Sequence, residues 1–209
     1  MNIYRLKKIF RNHFENGFSF YFVLFLIFIF GIIIGAVIIK ALSTSIHYNI
    51  LKYSNPYFFS NFKNYDSYYN IFKMSIYFNL IYIGISYVFG ILNLGFIIPV
   101  LVFIKGGTLG FTVGFLLHNF SWKGFIISIF GCYPQYLIYI PCIVAVGALS
   151  MTVAAKYKFS ANRKFTKFKR LDILEYTLFV LFFTVLMIIG SIYEGFISPI
   201  FLNIIKDLV

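Results

Sequence analysis

The chain has 209 residues, 61% of them hydrophobic and only 11% charged. A soluble domain carries about 25% charged residues, so this composition excludes an ordinary soluble fold and points to a membrane. The formal net charge of +12 does not indicate nucleic acid, because the basic residues flank apolar runs, the arrangement that orients a membrane protein.

Residues 1–17 place Ile3, Leu6, Phe10, Phe14 and Phe18 at helical spacing, with Arg5, Lys7, Lys8 and Arg11 between them. This reads either as a basic amphipathic helix lying on an anionic membrane face or as a simple positive flank of the first span. Phe18 to Ile39 is uncharged and long enough to cross a bilayer. Its apolar core is longer than that of a secretory signal, so it is expected to be a retained first span. Gly31 and Gly35 form a Gly-x-x-x-Gly pair in it, which suits a tight helix contact.

Residues 43–70 form the one long polar connection, rich in Ser, Asn and Tyr and interrupted by Pro56. Its aromatic residues suit a membrane interface. From Met74 to Ile104 no residue is charged, and that run is too long for one upright span. The turn signal Asn93-Leu94-Gly95 divides it into a second span over about 74–92 and a third over about 96–117. The third carries the densest pattern in the chain. Gly106, Gly110 and Gly114 recur every four residues, so a helix puts them in one smooth stripe, with Gly107 beside it. Another helix backbone fits closely against such a stripe. Lys105 adjoins it in an otherwise uncharged stretch, where a lysine is costly unless it snorkels or finds a partner.

Gly124 to Ala155 is again uncharged and longer than the hydrocarbon thickness. Pro134 and Pro141 are the expected breakers, with Gly131-Cys132-Tyr133-Pro134-Gln135 as the interruption. Such breaks are plain kinks in many membrane proteins and line binding sites in many transporters. Cys132 and Cys142 lie ten residues apart in this run, about 15 Å on a helix, too far for a disulfide. Residues 156–170 hold seven basic residues and no acid. The fifth span runs from about Tyr176 to Phe201 and contains Glu194.

The expected fold is therefore all-α: one polytopic membrane domain over residues 1–209, with about five spans and a long, proline-broken fourth. Residues 1–17 and 156–170 both belong on the cytoplasmic side. Four crossings between them satisfy that parity, and the 43–70 loop and the C-terminus then fall outside. If the glycine stretch dipped and returned, seven positive charges would lie outside, so it is expected to cross.

No catalytic set is evident. The chain has no His-Glu-x-x-His, no Cys-x-x-Cys and no phosphate-binding glycine loop. Gly84-Ile85-Ser86-Tyr87 lacks the second glycine of a serine-nucleophile elbow. His13, His47 and His118 fall in three separate segments. No metal or other cofactor is expected. Lys105 and Glu194 are the charges well inside spans. They are expected either to pair or to share a polar cavity with Gln135; the competing reading has Lys105 snorkelling and Glu194 at the outer interface.

Phe103-Ile104-Lys105-Gly106 followed by Leu109-Gly110-Phe111-Thr112-Val113-Gly114-Phe115 resembles the stage II sporulation protein M family. So do Pro134-Gln135 with Ile138-Tyr139-Ile140-Pro141, and Ile192-Tyr193-Glu194-Gly195-Phe196-Ile197-Ser198-Pro199. The size, the Gly-x-x-x-Gly end of the first span and the five-span layout also fit. Gly107 departs from the pattern, where an aromatic residue is expected. The resemblance implies a mother-cell membrane scaffold without chemistry of its own, acting in engulfment during endospore formation. It further implies that this scaffold recruits two peptidoglycan-degrading partners, stage II sporulation proteins P and D, to the septal membrane, and a homo-oligomer is compatible with it. The glycine-faced spans would then be assembly surfaces. The competing class is a transporter or permease-like subunit whose polar path is lined by Lys105, Gln135 and Glu194. An intramembrane enzyme is the weakest option, since it needs a catalytic pair the sequence does not offer.

Overall fold

A computed structural model describes residues 3–42, 65–159 and 168–200. The loop tyrosines around Pro56, most of the basic 156–170 loop and the C-terminal residues lie outside that range. The described residues are helical: α1 Ile3–Ala41, α2 Tyr65–Ile91, α3 Ile98–Ile127, α4 Tyr133–Phe159 and α5 Phe168–Ile192. A 3-10 turn, Gly95–Ile97, precedes α3. π turns lie at Ser128–Cys132, between α3 and α4, and at Tyr193–Ile197, after α5. Four helical stretches are long and apolar enough to cross a membrane: Gly17–Ala41, Tyr68–Ile91, Gly95–Lys156 and Ile173–Ile200.

The 62-residue stretch Gly95–Lys156 does not run straight. Ser121 has φ 49° and ψ −125°, a left-handed backbone state that reverses the chain. After it Gly124 packs against the carbonyl of Leu116, and Gly147 faces Ile98 and Val102. Residues 98–120 and 122–159 are thus antiparallel arms of one hairpin. Ser121 occupies a conformation that suits glycine, so Ser121→Gly is expected to stabilise the protein by about 1 kcal/mol, read as a rise in melting temperature in detergent.

The turn between α2 and α3 forms where the Asn-Leu-Gly signal placed it. Asn93 is left-handed, with φ 60°, and the Leu94 N–H donates to the Phe89 carbonyl at 2.9 Å, a Schellman-type ending with Asn in the usual glycine position. Pro99 then sits in the first turn of α3, where it removes no helical hydrogen bond. Gly95 is needed for a different reason: a Cβ there would lie 2.9 Å from that of Ala154.

α1 is one unbroken helix from Ile3, so residues 3–16 continue the helix of the first span. Two expectations need correction. α2 begins at Tyr65, nine residues ahead of the expected start, because polar residues such as Asn70 and Lys73 do not oppose a helix. The proline break is not an interruption either. Residues 128–159 stay helical with Pro141 inside α4, and the turn before Pro134 widens to a π turn in which the Tyr133 N–H donates to the Ser128 carbonyl. That widening accommodates the ring and missing N–H of Pro134. The second π turn does the same ahead of Pro199.

α4 is the centre. It touches α1, α2, α3 and α5, and Cys142 to Ser150 is buried on every side, as expected of a helix that is apolar all round. α1 and α3 form a parallel pair on one flank, α2 and α5 an antiparallel pair on the other. Away from their turn, α2 and α3 barely touch. Gly17 lies beside Thr152, and Gly95 beside Ala154, so the first span's start, the α2–α3 turn and the approach to the basic loop share one end of the bundle.

Candidate functional site

The glycine stripe of α3 is filled from within the chain. A Cβ on Gly106 or Gly110 would overlap the carbonyl oxygens of Phe28 or Ile32, and one on Gly114 would lie 3.0 Å from the Cα of Ala36. The pairing is reciprocal: a Cβ on Gly31 would lie 2.5 Å from the Phe103 carbonyl oxygen, and one on Gly35 would overlap that of Gly107. The two backbones are therefore in direct contact over two turns, the approach that small residues permit in membrane helices. Gly107 differs. The nearest atom to a Cβ there is the Gly31 carbonyl oxygen at 3.8 Å, so its departure from the family pattern does not create the contact. A partner could use the stripe only by displacing α1.

The second feature is a polar seam where α2, α4 and α5 meet. α2 carries Ser75, Asn79, Tyr82 and Ser86 at three- and four-residue spacing, and all four are buried. At its centre Glu194, in the π turn after α5, accepts two hydrogen bonds on Oε2, from Ser75 Oγ at 2.5 Å and Tyr139 Oη at 2.8 Å. Asn79 Nδ2 donates to Ser191 at 3.2 Å and to Ser75 at 3.5 Å. Its Oδ1 accepts from Lys105 Nζ at 3.0 Å. Lys105 also reaches the Phe78 carbonyl at 3.5 Å and lies 5.7 Å from the centre of the Tyr82 ring.

These bonds share one direction. Lys105 donates to Asn79, Asn79 to Ser75, and Ser75 to Glu194. An asparagine amide with a cation at its oxygen and donors at its nitrogen is polarised along that line, as in cooperative networks at low dielectric. Lys105 and Glu194 are thus joined through neutral groups and not by direct contact.

The seam also settles where the lysine points. Lys105 lies twelve residues after Asn93 and Asn79 fourteen before it, about 18 and 21 Å along their helices. The amine therefore reaches sideways and slightly away from the turn, so it does not snorkel toward that end. Gln135 is 5% exposed, on the same face of the π turn–α4 segment as Gly131 and Tyr139. Its Oε1 has no hydrogen-bond partner among the described residues. Pro134 follows the π turn that precedes Gln135.

Farther along, Tyr82 donates to the Ile143 carbonyl at 2.8 Å. Tyr176, fully buried, lies 2.8 Å from Ser150 and stacks on Tyr87 with ring centres 5.1 Å apart. Ser86 sits in mid-helix with its oxygen buried. Sequence reading passed over Ser75, Asn79 and Ser191 because none is charged; their helical spacing in α2 was the available signal. Cys132 and Cys142 are free thiols, and the described residues contain no group of three His, Cys, Asp or Glu able to hold a metal.

The family model described as stage II sporulation protein M matches residues 24–199. That range starts inside α1 and ends at Pro199, so it includes the glycine-paired helices and the polar seam. No curated protein and no solved structure matches the chain.

Proposed function

Because the chain belongs to the stage II sporulation protein M family, which has a general role in spore formation and engulfment, we propose that it is a non-enzymatic membrane scaffold. In this reading it recruits cell-wall hydrolases, stage II sporulation proteins P and D, to the septal membrane during engulfment. The observation that carries the proposal is the backbone-to-backbone pairing of α1 with α3, inside the matched region. It makes a stiff platform whose outward faces, including Phe22, Phe30, Leu178 and Phe182, remain for lipid and for partner anchors.

The protein is a single membrane domain that crosses five times. The reversal at Ser121 supports counting Gly95–Lys156 as two crossings, and the alternating helix directions support the same count. Gathering the N-terminal segment and the approach to the basic loop at one end supports a cytoplasmic N-terminus and an external C-terminus.

Co-purification in mild detergent tests the scaffold reading. Tagged wild-type protein is expected to carry both hydrolases with it. Absence of both, together with normal engulfment in cells lacking this protein, overturns the reading. The permease-like alternative draws on the Lys105–Asn79–Ser75–Glu194 network, and retained engulfment with loss of a solute-uptake phenotype would favour it.

A further inference from the structure

The two π turns meet across the bundle. Ser198 Oγ, just past the second, donates to the carbonyl of Gly131 in the first at 2.5 Å. One turn away, Tyr139 Oη reaches Glu194 at 2.8 Å. Gln135 lies between Gly131 and Tyr139 on that same buried face, at the level between Ser198 and Glu194. Each π turn is followed by a proline, Pro134 or Pro199, which supplies no N–H to the turn before it.

The region is rich in acceptors, and four of its hydroxyl donors are committed. Ser75 and Tyr139 donate to Glu194, Ser198 to Gly131 and Ser191 to Met187. Both hydrogen bonds to Glu194 fall on Oε2, so Oε1 has no donor among the described residues. The Gln135 oxygen has none either. The buried Gln135 oxygen is costly inside a membrane protein unless something positive meets it, and the part-buried Glu194 carboxylate offers its second oxygen. Lys105 does not meet them, since its amine donates to Asn79 and Phe78 and reaches Glu194 only through Asn79 and Ser75.

We propose that Glu194 and Gln135 form a binding site for a small monovalent cation. The donors are a carboxylate, an amide oxygen and hydroxyl and carbonyl oxygens, a set that suits a hard ion. A single carboxylate favours one positive charge over two, and sodium is the probe of choice. Irregular helix turns whose carbonyls help hold an ion are a known membrane device. The site stands whether or not the protein is a scaffold, because its test reads ion binding and not spore formation.

The experiment uses the purified full chain in detergent at constant ionic strength, with sodium replaced stepwise by choline or potassium. Saturable binding of radioactive sodium is expected, with a sodium-dependent rise in melting temperature. Glu194→Gln and Gln135→Leu should each weaken sodium binding roughly tenfold or more, while Lys105→Met keeps it. The wild-type comparison does not depend on any variant folding. If the wild type melts identically in sodium and choline and binds no radioactive sodium, the proposal is wrong, and a water molecule or the Gln135 amide supplies the missing donors. Equal binding by wild type and both site variants overturns it as well.

Discussion

Gly110→Leu is expected to abolish the folded bundle, with a loss above about 4 kcal/mol. A Cβ at this position already overlaps the Ile32 carbonyl oxygen. The obstacle is backbone on both sides, so no rotamer change relieves it, and a larger side chain must drive α1 and α3 apart along their whole length. Gly107→Ala is the matched control. The nearest atom to its new methyl group is 3.8 Å away, and alanine is the better helix former by up to about 1 kcal/mol, so this variant should be neutral or slightly stabilised. Size-exclusion profile and melting temperature in detergent separate the two outcomes. If Gly110→Leu remains monodisperse with a native melting temperature, the close pairing of α1 and α3 is wrong. The same result bears on the scaffold reading. A Gly110→Leu variant that loses hydrolase binding has lost its fold, so partner surfaces are better probed at outward residues such as Phe22 or Leu178.

Much of the layout was legible because it follows from covalent chemistry and hydropathy. A glycine every fourth residue makes a smooth stripe on any helix, and Asn93 marks a turn because asparagine tolerates the left-handed state. What fills the stripe was not legible. Gly31 and Gly35 carry the matching pattern, but nothing in either run says that Phe28, Ile32 and Ala36 are the residues met. The seam was hidden for a different reason. Hydropathy counts residues 74–92 as uncharged and does not register that Ser75, Asn79, Tyr82 and Ser86 share a face. The first π turn was misread as a break because a proline after a glycine suggests unwinding. The alternative, one wider turn with its freed carbonyl capped by Ser198 from another helix, depends on a residue 67 positions away.

Asn79→Leu carries the second large effect. The substitution keeps the size of the side chain but removes the best acceptor of Lys105, at 3.0 Å, and the donor to Ser191 and Ser75. A lysine left without that acceptor among apolar groups should destabilise the protein by about 3 kcal/mol. A plain interhelical hydrogen bond in a membrane averages only about 0.6 kcal/mol. The excess is therefore the signature of the stranded charge. Adding Lys105→Met should restore most of the loss, because the seam then has no cation to satisfy, and the double variant should be more stable than Asn79→Leu alone by about 2 kcal/mol. Chemical or thermal unfolding of the four proteins in one detergent closes the cycle. Additivity within about 0.5 kcal/mol would mean that Lys105 finds its stabilisation elsewhere and that the link from Lys105 to Glu194 carries no energy. A strong rescue would instead make Asn79 the residue that lets this bundle hold a lysine and a glutamate at neighbouring depths without direct contact.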